Sequence, residues 1–181
     1  MAQVDVRSAK KSEQPVVEAL LQLYLYDFTE FENLPINDRG RFDYPYLPHY
    51  WEDPSRYPFL FRHDGKLSGF ALLRYDTDPV NGQQTMEMAE FFVLKNQRRQ
   101  GIGEAAARRL FDLFPGKWVV RVLKSNRAAY SFWKQLISAY TKDQFMESDN
   151  QALVGGSYEF SFESQTDMEM PEDLDIDILD Y

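Results

Sequence analysis

Apolar positions along the chain change their period several times, and each change marks an element. Val4 and Val6 alternate with Asp5 and Arg7, which predicts a short strand at 4–7. Val17, Leu20, Leu21, Tyr24 and Phe28 then recur at helical spacing, predicting a helix over about 14–30 with Ser12 as its N-cap and Pro15 tolerated in the first turn. Residues 32–58 are rich in proline and aromatics without a sustained period, the signature of a long ordered loop. Two apolar runs between 58 and 76, joined by His63-Asp64-Gly65-Lys66, read as a hairpin. The segment 85–95 alternates at first and is continuously apolar from Phe91 to Leu94, a strand covered on both faces. From Gly101 to Phe114, the residues Ile102, Ala105, Ala106, Leu110, Leu113 and Phe114 form one helical stripe, ended by Pro115-Gly116. A strand at 118–124, a short helix at 126–137 capped by Asn126, and strands around 139–145 and 157–162 complete the series. The order predicts an α/β chain: one mixed sheet with helices on both sides and no internal repeat.

Composition narrows the chemistry. With 181 residues and 44% hydrophobic content the chain can bury one sizeable core, so a single domain over 1–162 is expected. The absence of cysteine rules out disulfides, thiolate zinc sites and cysteine nucleophiles, and two histidines are too few for a histidine-based metal cluster. No metal is expected. No apolar stretch has the length of a membrane span and the first residues lack an apolar leader core, so a cytoplasmic chain without membrane or nucleic-acid partners is the expectation.

Charge is distributed unevenly. Of the 29 acids, eight fall between Glu163 and Tyr181, where there is no Lys or Arg, leaving 21 acids against 20 bases in the body. The acidity of the chain belongs to a tail at 163–181, and the body does not repel an anionic ligand. Leu174, Ile176, Ile178 and Leu179, set among the tail's acids, leave room for an added edge strand or a homodimer contact.

The stretch Arg98-Arg99-Gln100-Gly101-Ile102-Gly103 lies between a strand and a helix. Glycines there let the chain turn sharply and let a ligand approach bare amides, while the first N–H groups of the helix have no intrahelical acceptor and suit a phosphate. An ordinary tight turn before an amphipathic helix is the plainer reading. A P-loop is excluded, since neither its spacing nor its Lys-Ser/Thr is present. Gly101, Gly103 and Ala106 do match the dinucleotide pattern G-x-G-x-x-A, but Lys124 stands at the end of the next strand where that fold uses an acid.

A third pattern, Arg/Gln-x-x-Gly-x-Gly/Ala, is met in full by Arg98 to Gly103. With Phe91-Phe92-Val93 ending five residues earlier and Asn126-x-x-Ala129-x-x-Phe132 following, the chain resembles the GNAT acyltransferase superfamily. The likeness covers about 60–137 well and the N-terminal strand and helix loosely. It implies an α+β variant of the expected class: a mixed, mostly antiparallel central sheet flanked by helices, with strands splayed at the cofactor site. It implies acetyl-CoA as acyl donor and a primary amine as acceptor. Phe91, Phe92 and Val93 would meet the pantetheine arm through their backbone, the Val93 amide polarising the thioester carbonyl. Arg99, Gln100, Gly101, Ile102, Gly103 and Glu104 would cradle the pyrophosphate, with Arg98 either adding charge or bracing the loop. Asn126 would either bind the pantetheine or simply cap its helix.

Amine attack on a thioester needs a base and, in some enzymes, an acid for the leaving thiolate. By the same likeness Glu90 is the candidate base, otherwise a half-exposed strand carboxylate, and Glu87 is a second choice. Trp133 stands where the family usually carries its tyrosine acid, so either Tyr130, on a neighbouring face of that helix, or solvent must supply the proton. Asp27, Glu30, Glu32 and Asp43, among several tyrosines, would suit a cationic acceptor. A binding module that retains the scaffold for acyl-CoA without fast chemistry is the alternative.

Overall fold

A computed structural model describes residues 3–151 and 155–164. Seven strands form one sheet in the order β1-β2-β3-β4-β5-β7-β6. They are β1 Val4–Ser8, β2 Arg56–His63, β3 Lys66–Thr77, β4 Gln84–Val93, β5 Gly116–Leu123, β6 Phe145–Asn150 and β7 Ser157–Ser164. Every neighbouring pair is antiparallel except β4 with β5. Helix α1 is Gln14–Phe28, α2 is Ile102–Leu113 and α3 is Arg127–Thr141. The mixed, mostly antiparallel sheet flanked by helices is the expected architecture.

Strand periodicity divides the core into two layers. Leu60, Phe70, Leu72 and Phe92 point toward α1 and join Val17, Leu20, Leu21 and Leu25. Phe59, Phe61, Leu73, Met86, Met88, Trp118, Val120, Phe160 and Phe162 point the other way, against α2 and α3. Asp64 and Gly65, both with positive φ (50° and 71°), make the two-residue turn whose twist matches the β2–β3 hairpin.

Some boundaries differ from the sequence reading. Ser12 does not cap α1, because a 3₁₀ turn at Lys11–Glu13 precedes the helix. Glu13 accepts the Lys10 N–H at 3.1 Å and pairs with Arg7 at 2.6 Å instead. Helix α3 runs on through Thr141, since Trp133, Leu136, Ile137 and Tyr140 continue one apolar stripe, and the strand expected around 139–145 begins only at Phe145. On α2 the buried positions include Ala107 and Phe111 rather than Ala105. Phe111 fills the seam against Trp118 and Phe162 (ring centroids 4.9 Å for each) and against Tyr140 of α3 (5.2 Å). Glu163 and Ser164 belong to β7, so the sheet passes the expected boundary at 162, and the rest of the acidic tail lies outside the described residues.

Two bulges shape the strands that carry the site. The β2–β3 register slips at Phe61/Arg62, leaving Ser68 unpaired. Its hydroxyl donates to Gln97 Oε1 at 2.6 Å, and Gln97 Nε2 donates to the Leu67 carbonyl at 3.0 Å. The β3–β4 register slips at Leu72/Leu73, opposite an extra residue, Ala89. Beside these bulges β3 and β4 approach closely at Gly69, where an added Cβ would stand 2.0 Å from the Phe92 carbonyl oxygen. Gly69→Ala is expected to cost about 2–3 kcal/mol, because only backbone movement relieves the overlap. Chemical denaturation measures it, and an unchanged midpoint would show that β4 yields freely here.

Candidate active site

Strands β4 and β5 pair only at Met86↔Trp118, Glu87↔Val119 and Met88↔Val120. Beyond these pairs β4 continues to Val93 along β3, and β5 continues to Leu123 along β7. The strands therefore part, and a cleft of about 1510 Å³ opens between them. Its lining includes Glu90 to Val93 from β4, Val120 to Leu123 from β5, the start of α2, the start of α3, and the segment after α1.

The hydrogen-bond ladder decides which backbone groups face the gap. Leu94 N–H donates to the Ser68 carbonyl at 2.9 Å. In an antiparallel pair such groups alternate, so Phe92 also points its N–H and C=O to β3, while Phe91 and Val93 point theirs into the cleft. The Val93 carbonyl is taken by Arg98 Nε at 2.8 Å, whose Nη2 reaches Asp27 at 2.7 Å and whose guanidinium lies over the Phe92 ring at 5.5 Å. Arg98 thus braces the loop and leaves the Val93 amide facing the cleft.

The loop that follows is bent for the same purpose. Arg99 and Gly101 both have positive φ (61° and 78°), and Gly101 is the N-cap of α2. Ala105 N–H returns to the Gly101 carbonyl at 3.0 Å, so the amides of Ile102, Gly103 and Glu104 lack an intrahelical acceptor. Gly103 lies where the Phe132 ring closes on the loop, 3.3 Å from where a Cβ would be. Arg98, Arg99, Gly101, Gly103 and Glu104 line the cleft. Ile102 does not, being buried beneath the loop, and Gln100 turns away to donate to the Asn96 carbonyl at 3.1 Å.

Because of the extra residue at Ala89, Glu87 and Glu90 point to the same face, the one that carries α1. Glu87 is nearly inaccessible, with Arg74 Nε at 2.5 Å and Arg121 Nη1 at 2.6 Å. Both of its oxygens are engaged, which leaves no free carboxylate for proton transfer. Arg121 continues the chain of charges to Glu159 at 2.8 Å. Glu90 differs: it accepts the Tyr44 hydroxyl at 2.9 Å and has no cation within bonding distance among the described residues. Burial raises its pKa; the Tyr24 and Tyr44 hydroxyls oppose that rise, and the Glu87 charge adds to it.

Helix α3 brings Asn126, Ala129, Phe132 and Trp133 to the cleft. Asn126 Oδ1 accepts the Ala129 N–H at 3.0 Å, so the cap is formed. Trp133 is buried and packs edge-on against Phe91 at 5.0 Å. Tyr130 does not share the cleft. Its ring rests on Tyr158 (4.7 Å) and its hydroxyl lies between Glu147 and Lys134, each at 2.8 Å, on the β6–β7 side of the helix.

Sequence reasoning missed Tyr24 and Tyr44, which converge on Glu90, and the Arg74–Glu87–Arg121–Glu159 chain. Two acids in an otherwise apolar strand were the available signal for that chain. Around the cleft, Lys95, Arg98, Arg99 and Arg127 gather near the α2 and α3 starts, and Glu30, Glu32 and Asp43 come from the segment after α1.

Comparison with known proteins agrees with this fold. An acetyltransferase from Streptococcus agalactiae superposes with TM-score 0.66 at 11% identity, over 92% of this chain and 99% of that one. Naa50 from Arabidopsis thaliana, in complex with a bisubstrate analogue, gives TM-score 0.58 at 16% identity, over 88% and 97%. The ribosomal-protein-S18-alanine N-acetyltransferase of Escherichia coli gives 0.60 at 15% identity, over 94% and 98%. These likenesses concern the fold. No curated protein matches the sequence significantly. The model of the acetyltransferase (GNAT) family matches residues 17–136, and the chain belongs to that family.

Proposed function

We propose that this protein is an acetyl-CoA-dependent N-acetyltransferase acting on a primary amine that carries positive charge. The observation that carries the reading is the unpaired β4 edge ending at Val93, set directly before a left-handed loop that exposes the first amides of α2. An extended pantetheine arm matches the first, and a pyrophosphate matches the second. The residues present fit this donor: Arg99, Gly101, Gly103 and Glu104 would hold the pyrophosphate, Phe91 and Val93 the pantetheine, and Asn126 would offer its Nδ2 amide. When bound, the donor supplies the activated acetyl group. Val93 N–H would stabilise the charge developing on the carbonyl oxygen, a contact worth about 3 kcal/mol.

Glu90 is the base in this reading. Its raised pKa leaves it a stronger proton acceptor than a surface carboxylate, and it loses that capacity as the pH falls through the raised value. An indole is no proton donor and Tyr130 is engaged elsewhere, so solvent protonates the departing thiolate. Glu30, Glu32 and Asp43 at the acceptor end favour a cationic substrate, and a spermidine/spermine N-acetyltransferase and an aminoglycoside acetyltransferase are among the proteins that share the fold. A second reading rests on Trp133: an acyl-CoA-binding module with little turnover.

Three measurements test the proposal. Acetyl-CoA at about a hundred times its Kd is expected to raise the Tm by roughly 5–10 °C, with no response to NAD; the reverse pattern would restore the dinucleotide reading. On a panel of spermidine, an aminoglycoside and short peptides, Glu90→Gln is expected to lower turnover at least about 100-fold while leaving the acetyl-CoA response intact. Tyr130→Phe is expected to keep full turnover. Binding without thiol release from any amine would favour the module.

A further inference from the structure

Residues 29–46 reach from the end of α1 toward the sheet and supply Glu30, Glu32, Leu34, Asp43 and Tyr44 to the cleft. Only Tyr44 among these touches the carboxylate assigned as base, with its hydroxyl 2.9 Å from Glu90 Oε1. Tyr24, on α1, interacts with the same carboxylate from the helix side. Its ring is fixed by edge contacts with Phe70 at 6.0 Å and Phe92 at 5.9 Å, both neighbours of Glu90 on that face of the sheet. The segment bearing Tyr44 is held down independently. Gln22 of α1 exchanges two hydrogen bonds with the Phe42 backbone, at 3.0 and 2.8 Å, and Arg41 pairs with Glu18 at 2.7 Å.

We infer that Tyr44 and Tyr24 are positioning residues: their hydroxyls hold the Glu90 carboxylate in place, and through Tyr44 the base is complete only while the segment 29–46 is seated against α1. This rests on the reading of Glu90 as base. It adds that the segment contributing the acceptor-side acids also completes the proton acceptor, so acceptor binding and base assembly share one structural element. The groups facing Glu90 are Tyr24 from α1, Tyr44 from the segment, Tyr50 from the 3₁₀ turn Leu47–Trp51, Arg74 from β3 and Glu87 from β4. Arg74 is paired with Glu87 and favours the ionised form of Glu90 only through its charge, so the donor seated on the carboxylate is the Tyr44 hydroxyl, with Tyr24 favouring the ionised form from the α1 side.

The test reads Glu90 itself. Its side-chain carboxyl carbon is followed by NMR in the full-length protein, assigned by the signal lost in Glu90→Gln, and titrated without any substrate. Tyr44→Phe keeps the ring and removes the donor, so the titration midpoint is expected to move upward by roughly one pH unit. Tyr24→Phe should move it in the same direction, and Gln22→Ala, which loosens the segment without touching Glu90, should reproduce part of the Tyr44 effect. An unchanged midpoint in Tyr44→Phe would overturn the inference. So would a shift confined to Tyr24→Phe, which would leave the segment 29–46 without influence on the base. Failure of the underlying reading looks different: the midpoints move as described, yet Glu90→Gln retains full turnover on the amine panel.

Discussion

Three register pairs are all that join β4 to β5, and the site depends on where that pairing stops. A parallel pair has no intrinsic reason to end at Met88↔Val120, since both strands continue. Two local devices end it. The extra residue at Ala89 bends β4 and increases its twist just past the last pair. At the last paired turn, Glu87 lies between Arg74 and Arg121, tying β3, β4 and β5 through one carboxylate. Glu87 is buried while both guanidiniums keep part of their surface in water, and by pairing with two strands at once this carboxylate fixes the point of divergence.

From that point the two faces of the sheet take different work. Phe91 turns toward Phe132 and Trp133, and the neighbouring loop sets Gly103 against Phe132 of α3, so the face bearing α2 and α3 shapes the groove and its glycine loop. Glu90 turns toward α1, where tyrosines surround it. One inserted residue determines this division, because without the slip at Ala89 Glu87 and Glu90 would lie on opposite faces.

The fold was largely legible from periodicity. The hairpin about Asp64-Gly65, the stripe of α2 and the alternation in β4 each obey local rules that survive tertiary packing. The motif residues Arg98 to Gly103 were legible because a sharp turn before a helix needs glycine whatever surrounds it. What could not be read were partnerships across sequence distance. Glu87 and Glu90 look alike in the sequence, and only Arg74 and Arg121, brought alongside by strand pairing, tell the carboxylate held between two cations from the one that is not. Tyr130 misled for a similar reason: helical spacing gives a face, but the packing of Tyr158 against its ring decides which way that face looks. The extension of α3 was hidden because Tyr140 suits a strand as well as a helix.

The gap between β4 and β5 has a further consequence. Unpaired strand edges ordinarily invite another polypeptide to pair, and proteins blunt them with charge, proline or bulges. Here the two unpaired edges face one another inside the sheet, across a wedge closed at one end by Glu87 and overhung by the starts of α2 and α3. Neighbouring strands lie about 4.8 Å apart, so a wedge of this kind admits one extended arm and has no room for a growing sheet. The opening is thereby also a protected edge: the sheet carries a groove between two of its strands without turning either unpaired edge outward.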